Sequence, residues 1–203
     1  MGVRMRKLSL FFALAAAFAA CASAQLVSVG ALGGVRLTDG FNSGDESRFY
    51  VIGASVEVHL PARFAVEADA LYQRIGNTYS NIDFGPSQFF VSRERGNSWQ
   101  FPLYVKYYFR RNTAAWQPFI GTGYAFRTIS MHVEGSEPGT DAVLQSFSQE
   151  FRAGISVGAS IAGGLRFHYG RLAILPQVRY TRWGDSNDNI NRNEATLLLG
   201  VAF

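Results

Sequence analysis

Along most of this chain apolar and polar residues change places at every second position, the period of a strand whose two faces meet different surroundings. From Phe151 to Phe167 the odd positions are Phe151, Ala153, Ile155, Val157, Ala159, Ile161, Gly163, Leu165 and Phe167, whereas the even ones include Arg152, Ser156, Ser160 and Arg166. From Trp99, the residues Phe101, Leu103, Val105, Tyr107 and Phe109 alternate with Gln100, Tyr104, Lys106 and Arg110. From Phe64, the residues Val66, Ala68, Ala70 and Tyr72 alternate with Glu67, Asp69 and Gln73. Charges keep to one face each time. The last run, "ATLLLGVAF", divides in the same way and ends on an aromatic residue.

Segmenting on this period predicts about eight strands, over 26–37, 49–60, 63–75, 98–110, 115–128, 150–168, 171–183 and 193–203. The connections alternate in length. "PA" at 61–62, "RNTA" at 111–114 and "YG" at 169–170 are short, while 38–48, 76–97, 129–149 and 184–192 are long, polar and read as loops. Short turns on one rim and long loops on the other predict an all-β fold, a transmembrane up-and-down antiparallel β-barrel of about eight strands.

Alternation alone also suits a soluble lipocalin-like cup with its apolar face inward. Two features favour the inverse arrangement. The polar face carries Glu57, Glu67, Asp69, Lys106, Arg127, Arg152, Arg166, Arg179 and Glu194, mixed in sign and set among small residues, which suits a narrow interior filled by side chains. Buried charges need partners, so these residues are expected to form a lumen network, with Glu67 and Asp69 pairing across it with Lys106 and Arg179. The apolar face sorts its aromatics by height. Phe64, Phe109, Trp116, Phe167 and Phe203 fall at the short-turn level, and Tyr50, Tyr72, Trp99, Phe126, Phe151 and Tyr180 at the other. Two aromatic girdles around an aliphatic band are the mark of a wall that meets lipid.

The first residues change the reading of charge and compartment. Arg4, Arg6 and Lys7, the apolar stretch Leu8 to Ala20 and the small residues before Gln25 form a secretory signal, so 1–24 is expected to be a cleaved leader and 25–203 the barrel domain. Lipidation at Cys21 is the alternative processing. The net charge of +4 falls to +1 once the three leader cations are gone, and no basic cluster points to nucleic acid. A mean hydropathy of +0.03 fits strands that are half polar.

"FPLYVKYYF" at 101–109, "QPFIGTGYAF" at 117–126, "LPQVRYTRW" at 175–183 and the terminal Phe203 resemble the small bacterial outer-membrane β-barrel domain family, of the OmpA and OmpX kind. The resemblance implies location in the cell outer membrane, contact with its lipid, and no fixed biochemical role. It also makes Ala195, Leu197, Leu199, Val201 and Phe203 an assembly signal for the barrel-assembly machinery.

Candidate chemistry is sparse. Of the histidines His59, His132 and His168, the first and last fall beside short turns, with Glu57 near His59 and Ser160 near His168, and neither forms a recognisable set with both a serine and a carboxylate, so catalytic residues are expected to be none. "DSNDN" at 185–189 begins like a calcium loop but has Ile190 and Thr196 where glycine and glutamate are required, and "GTG" at 121–123 lacks the third glycine and helix of a dinucleotide site. Metal and cofactor sites are therefore expected to be none. The expected role is structural or loop-mediated, the acidic stretch with Glu134, Glu137, Asp141 and Glu150 being a candidate surface for an extracellular ligand. The alternatives are a narrow pore for small ions or solutes and an interfacial lipid-modifying enzyme.

Overall fold

The computed structural model of the chain describes residues 27–37, 48–83, 88–111, 114–138, 144–152, 154–184 and 192–203. Residues 1–24, where a leader is expected, 38–47, within the connection expected at 38–48, and the "DSNDN" stretch lie outside the described residues. The described residues form nine strands in chain order: β1 Val27–Leu37, β2 Tyr50–His59, β3 Phe64–Asp83, β4 Gln88–Tyr108, β5 Trp116–Pro138, β6 Leu144–Arg152, β7 Ser156–Tyr169, β8 Leu172–Trp183 and β9 Asn193–Ala202. All pairings are antiparallel and join sequence neighbours, except that β7 pairs with the lower part of β5 and β1 with β9. β6 pairs with the upper part of β5, so β6 and β7 make one stave of a closed eight-stranded barrel.

The seam between β1 and β9 runs from Leu37 opposite Ala195 to Gly30 opposite Ala202. Phe203 extends it, donating its N–H to Val29 O at 3.0 Å while its carbonyl accepts from Val29 at 3.1 Å. Closure leaves the barrel wall without a free edge. On the short-turn rim Pro61–Arg63 joins β2 to β3 with Ala62 at φ 60°, and Gly170, at φ 64°, turns β7 into β8. Gly123 permits the closest approach in the wall, since a Cβ there would lie 1.8 Å from the Leu103 carbonyl oxygen.

The structure corrects the sequence reading in two places. First, 76–97 and 129–149 are largely strand rather than loop. β3 and β4 remain paired as far as Asp83 opposite Gln88, β4 and β5 as far as Val91 opposite Ser136, and β5 and β6 as far as Pro138 opposite Leu144. A four-stranded sheet, β3 to β6, thus projects beyond the barrel on the long-connection side. Its polar sequence hides it, because apolar alternation marks a strand only where its two faces meet different surroundings.

Second, the strand expected over 150–168 is interrupted. Arg127 pairs with Ser156 and Ser130 with Arg152, so two residues of β5 face three of the partner strand, a β-bulge between Arg152 and Ser156. One extra residue inverts the facing of everything beyond it.

Candidate functional site

The barrel interior is where chemistry-bearing side chains converge, and the parity of each strand places them there. Glu57 on β2, Glu67 and Asp69 on β3, Lys106 on β4, Arg166 on β7 and Arg179 on β8 are all buried and lie in one continuous network. Lys106, wholly buried, bridges Glu57 at 3.1 Å and Glu67 at shorter range. Arg179 reaches Asp69 Oδ2 at 2.6 Å and Glu67 Oε1 at 2.9 Å. Arg166 donates to Glu57 at 2.7 Å and to Ser28 Oγ at 2.9 Å, and Tyr108 donates to the same Glu57 carboxylate at 2.8 Å. Three acids face three bases, so the layer is neutral as well as paired, the condition under which charge is tolerated away from water.

A second tier lies toward the long-connection rim. Glu194 on β9 accepts from Gln100 at 2.8 Å and from the Trp183 indole at 3.0 Å, with Arg127 Nη1 at 3.8 Å. The Arg127 guanidinium lies 4.2 Å from the centre of the Trp183 ring. Apolar clusters fill the remaining width: Leu32, Val51, Leu71 and Leu198 on one side, Ala65, Tyr108 and Phe119 on another. Between Ser28, Ser55, Glu57, Glu67 and Arg166 a cavity of about 10 Å³ remains, space for one water at most.

Arg152 stands outside this network. Its side chain is 79% exposed and pairs with Glu150 at 3.5 Å on β6, because the bulge between Arg152 and Ser156 turns even positions outward there. The same inversion sets the Phe151 backbone opposite Met131, and the Phe151 side chain lies outside the described ones. Interior residues left out of the expected charge network, Tyr104, Tyr108, Gln100, Gln117, Ser160 and Trp183, carry the parity of the charged positions on their own strands. That parity was the signal for them.

Potential catalytic groups are engaged elsewhere. Ser160 Oγ bonds to Tyr104 at 2.6 Å and to Thr181 at 2.8 Å, with no histidine partner. His59 lies against Arg166 at 2.7 Å and Glu57 at 3.3 Å, and His168 against Gln117 at 3.2 Å. On the projecting sheet Ser148 and Glu134 both approach the same His132 nitrogen, Nε2, at 3.2 and 3.3 Å. A relay needs the acid on the opposite ring nitrogen from the serine. Among the described residues no group of three potential ligands could hold a metal.

The outer wall is apolar where a water-soluble protein would be polar. Ile120 is 57% exposed, Ile161 56% and Leu199 54%, and Ile52, Val105, Val178, Leu197 and Val201 lie beside them. A contiguous apolar surface of this extent requires a cover. Phe64, Phe109, Trp116, Phe167 and Phe203 point outward near the short-turn rim, and Tyr50, Trp99, Phe126 and Tyr180 near the other. Tyr72 packs against Trp99 with ring centres 5.2 Å apart.

Residues 9–203 match the family described as outer membrane protein beta-barrel domain. No curated protein matches the sequence. Among solved structures, a major outer membrane protein from Thermus thermophilus superposes with a TM-score of 0.50 at 11% identity, over 87% of this chain and 98% of that one. Neisserial surface protein A gives 0.49 at 15% identity over 87% and 95%. The N-terminal β-barrel domain of Pseudomonas aeruginosa OprF gives 0.46 at 16% identity over the same shares. At these identities the likeness is one of fold. The family match spans nearly the whole chain, and the chain belongs to the outer membrane protein β-barrel domain family.

Proposed function

We propose that this outer-membrane barrel is a non-conducting, non-catalytic element of the envelope whose specific contacts are made by the sheet that β3 to β6 project beyond the membrane. The observation that carries the reading is the ion-paired layer across the lumen. Lys106, Arg166 and Arg179 are each bonded to a buried carboxylate, and the tyrosines and aliphatic clusters around them fill the width an ion would need. Purified protein inserted into planar bilayers is expected to give stable insertion without current steps. Discrete conductance steps that scale with salt would replace this reading with the narrow-pore one.

The rest of the proposal follows the order in which the chain is made. Residues 1–24 direct export and are removed, and the face formed by Ala195, Leu197, Leu199, Val201 and Phe203 on the closing strand is presented to the assembly machinery. Leu197, Leu199, Val201 and Phe203 are exposed on the outer wall, which supports a surface available for recognition. Outer-membrane lipid then covers that wall. The projecting sheet, with His132, Glu134, Glu150 and Arg152 on one exposed face, is the surface proposed for an extracellular ligand. A lipid-modifying activity finds no support in the engaged serines and histidines described above.

A further inference from the structure

The two rims that bound the apolar band differ in charge. On the long-connection side three cations have anionic neighbours: Arg152 meets Glu150 at 3.5 Å, His132 meets Glu134 at 3.3 Å, and Arg93 faces Glu134 across the β4 to β5 pairing. The short-turn side has no such balance. Its turns, at 60–63, 109–115 and 169–171, contain Arg63, Arg110, Arg111 and Arg171 and no acidic residue. All four arginines are exposed. The nearest acids along the chain, Glu57 and Glu67, point into the lumen and are bonded to Lys106, Arg166 and Arg179.

These arginines lie in one arc. Arg63 reaches from the first turn to donate to the Phe109 carbonyl at 3.2 Å, beside Arg110. The second turn is joined to β7 by the His168 N–H, which donates to Ala115 O at 3.0 Å, and the third turn with Arg171 follows. Arg63 precedes the exposed Phe64 in the chain, Arg171 precedes the exposed Leu172, and Arg110 follows Phe109, its guanidinium stacked 3.6 Å above the Trp116 ring. A planar fork held by stacking, as at Arg110, suits bidentate binding of a phosphate oxygen pair. A ring at the acyl boundary fixes the depth of that fork at the level of headgroups.

We infer that the arc of Arg63, Arg110, Arg111 and Arg171 is a binding surface for anionic phospholipid headgroups, selecting phosphatidylglycerol-type lipids over zwitterionic ones in the leaflet that meets the short turns. The inference rests on the membrane-spanning reading and deepens it by naming a lipid class and the residues that select it. An arginine near a charged lipid surface strengthens attraction roughly fivefold, so incomplete screening of four still leaves a measurable preference.

The test uses the full barrel refolded in phosphatidylcholine vesicles containing a trace of spin-labelled phosphatidylglycerol or phosphatidylcholine, with the motionally restricted fraction read by electron paramagnetic resonance. Heat-dependent gel mobility confirms the inserted fold in each sample. The unaltered barrel is expected to prefer phosphatidylglycerol by about fivefold at low salt, and R63Q/R110Q/R111Q/R171Q to show no preference. The opposite-rim variant R74Q/R95Q/R182Q is expected to keep it. Should the quadruple variant fail to fold, R63Q/R171Q, which leaves Arg110 on Trp116, is expected to lose about half the preference. A heat-shifted native barrel without preference, or a preference that survives in the short-turn variant, overturns the inference. A native barrel that never shifts in vesicles overturns instead the membrane reading beneath it.

Discussion

Replacing Arg179 by methionine tests whether the lumen is a dry, paired core or a water-threaded passage. Methionine keeps the stem of the side chain but removes the bonds to Asp69 at 2.6 Å and Glu67 at 2.9 Å, and the guanidinium 4.8 Å from the Tyr104 ring centre. Two carboxylates then face each other without their shared cation. At about 2.8 Å a charge pair is worth roughly 6 kcal/mol in an effective dielectric of about 20 and roughly 1.5 kcal/mol in water. Desolvation reduces the first figure, and breaking buried pairs costs about 3–5 kcal/mol in practice, against about 0–1 kcal/mol for solvated ones. R179M is therefore expected to destabilise the barrel by about 3–5 kcal/mol, measured as urea unfolding in lipid vesicles by tryptophan emission and by the heat-shifted band. Glu67 keeps Lys106, so D69N in the same background removes the carboxylate that has lost its ion pair. The double-mutant cycle should give a coupling of about 2–4 kcal/mol, within the range for directly contacting ionic partners. A coupling below about 1 kcal/mol, the value of a solvated pair, would refute the occluded lumen.

Two further outcomes follow from the rim and the seam. Ala62 sits at φ 60°, where a Cβ is unfavourable by roughly 1–2 kcal/mol, so A62G should raise the unfolding free energy by up to about 1 kcal/mol once glycine's extra chain entropy is subtracted. A lower stability in the same urea assay would show that the turn is not strained. Deleting Phe203 removes two backbone hydrogen bonds to Val29, a net loss of only about 1–3 kcal/mol, and should nevertheless lower the heat-shifted band in the outer-membrane fraction far more than it lowers total synthesis. Normal membrane levels of the truncated chain would count against recognition of the closing strand.

What could be read from the sequence, and what could not, follows from where the two faces of a strand meet different solvents. In β3 from Phe64 to Tyr72, β4 from Trp99 to Tyr108 and β7 throughout, one face lies against the apolar surroundings and the other against a packed polar lumen. There parity alone finds both the wall and the partners of Lys106 and Arg179. Beyond Tyr72 and Trp99 the same strands continue through "NTYSNID" and "QFFVSRERGN", where no apolar alternation marks them, and the register carried up from the barrel keeps them paired. The bulge between Arg152 and Ser156 fails for the converse reason: alternation is present on each side of it, but nothing in the residues announces the extra one, and Arg152 is carried to the wrong face.

The same contrast divides the molecule by how its sequence is constrained. Within the band, a substitution must respect parity, because a misplaced charge meets either hydrocarbon or a paired interior with no spare partner. In the projecting sheet β3 to β6 the requirement is that the backbone pairing is kept, from Val91 opposite Ser136 downward between β4 and β5. The constraint is tightest in the lumen layer, where Glu57, Glu67, Asp69, Lys106, Arg166 and Arg179 are each bonded to an opposite charge.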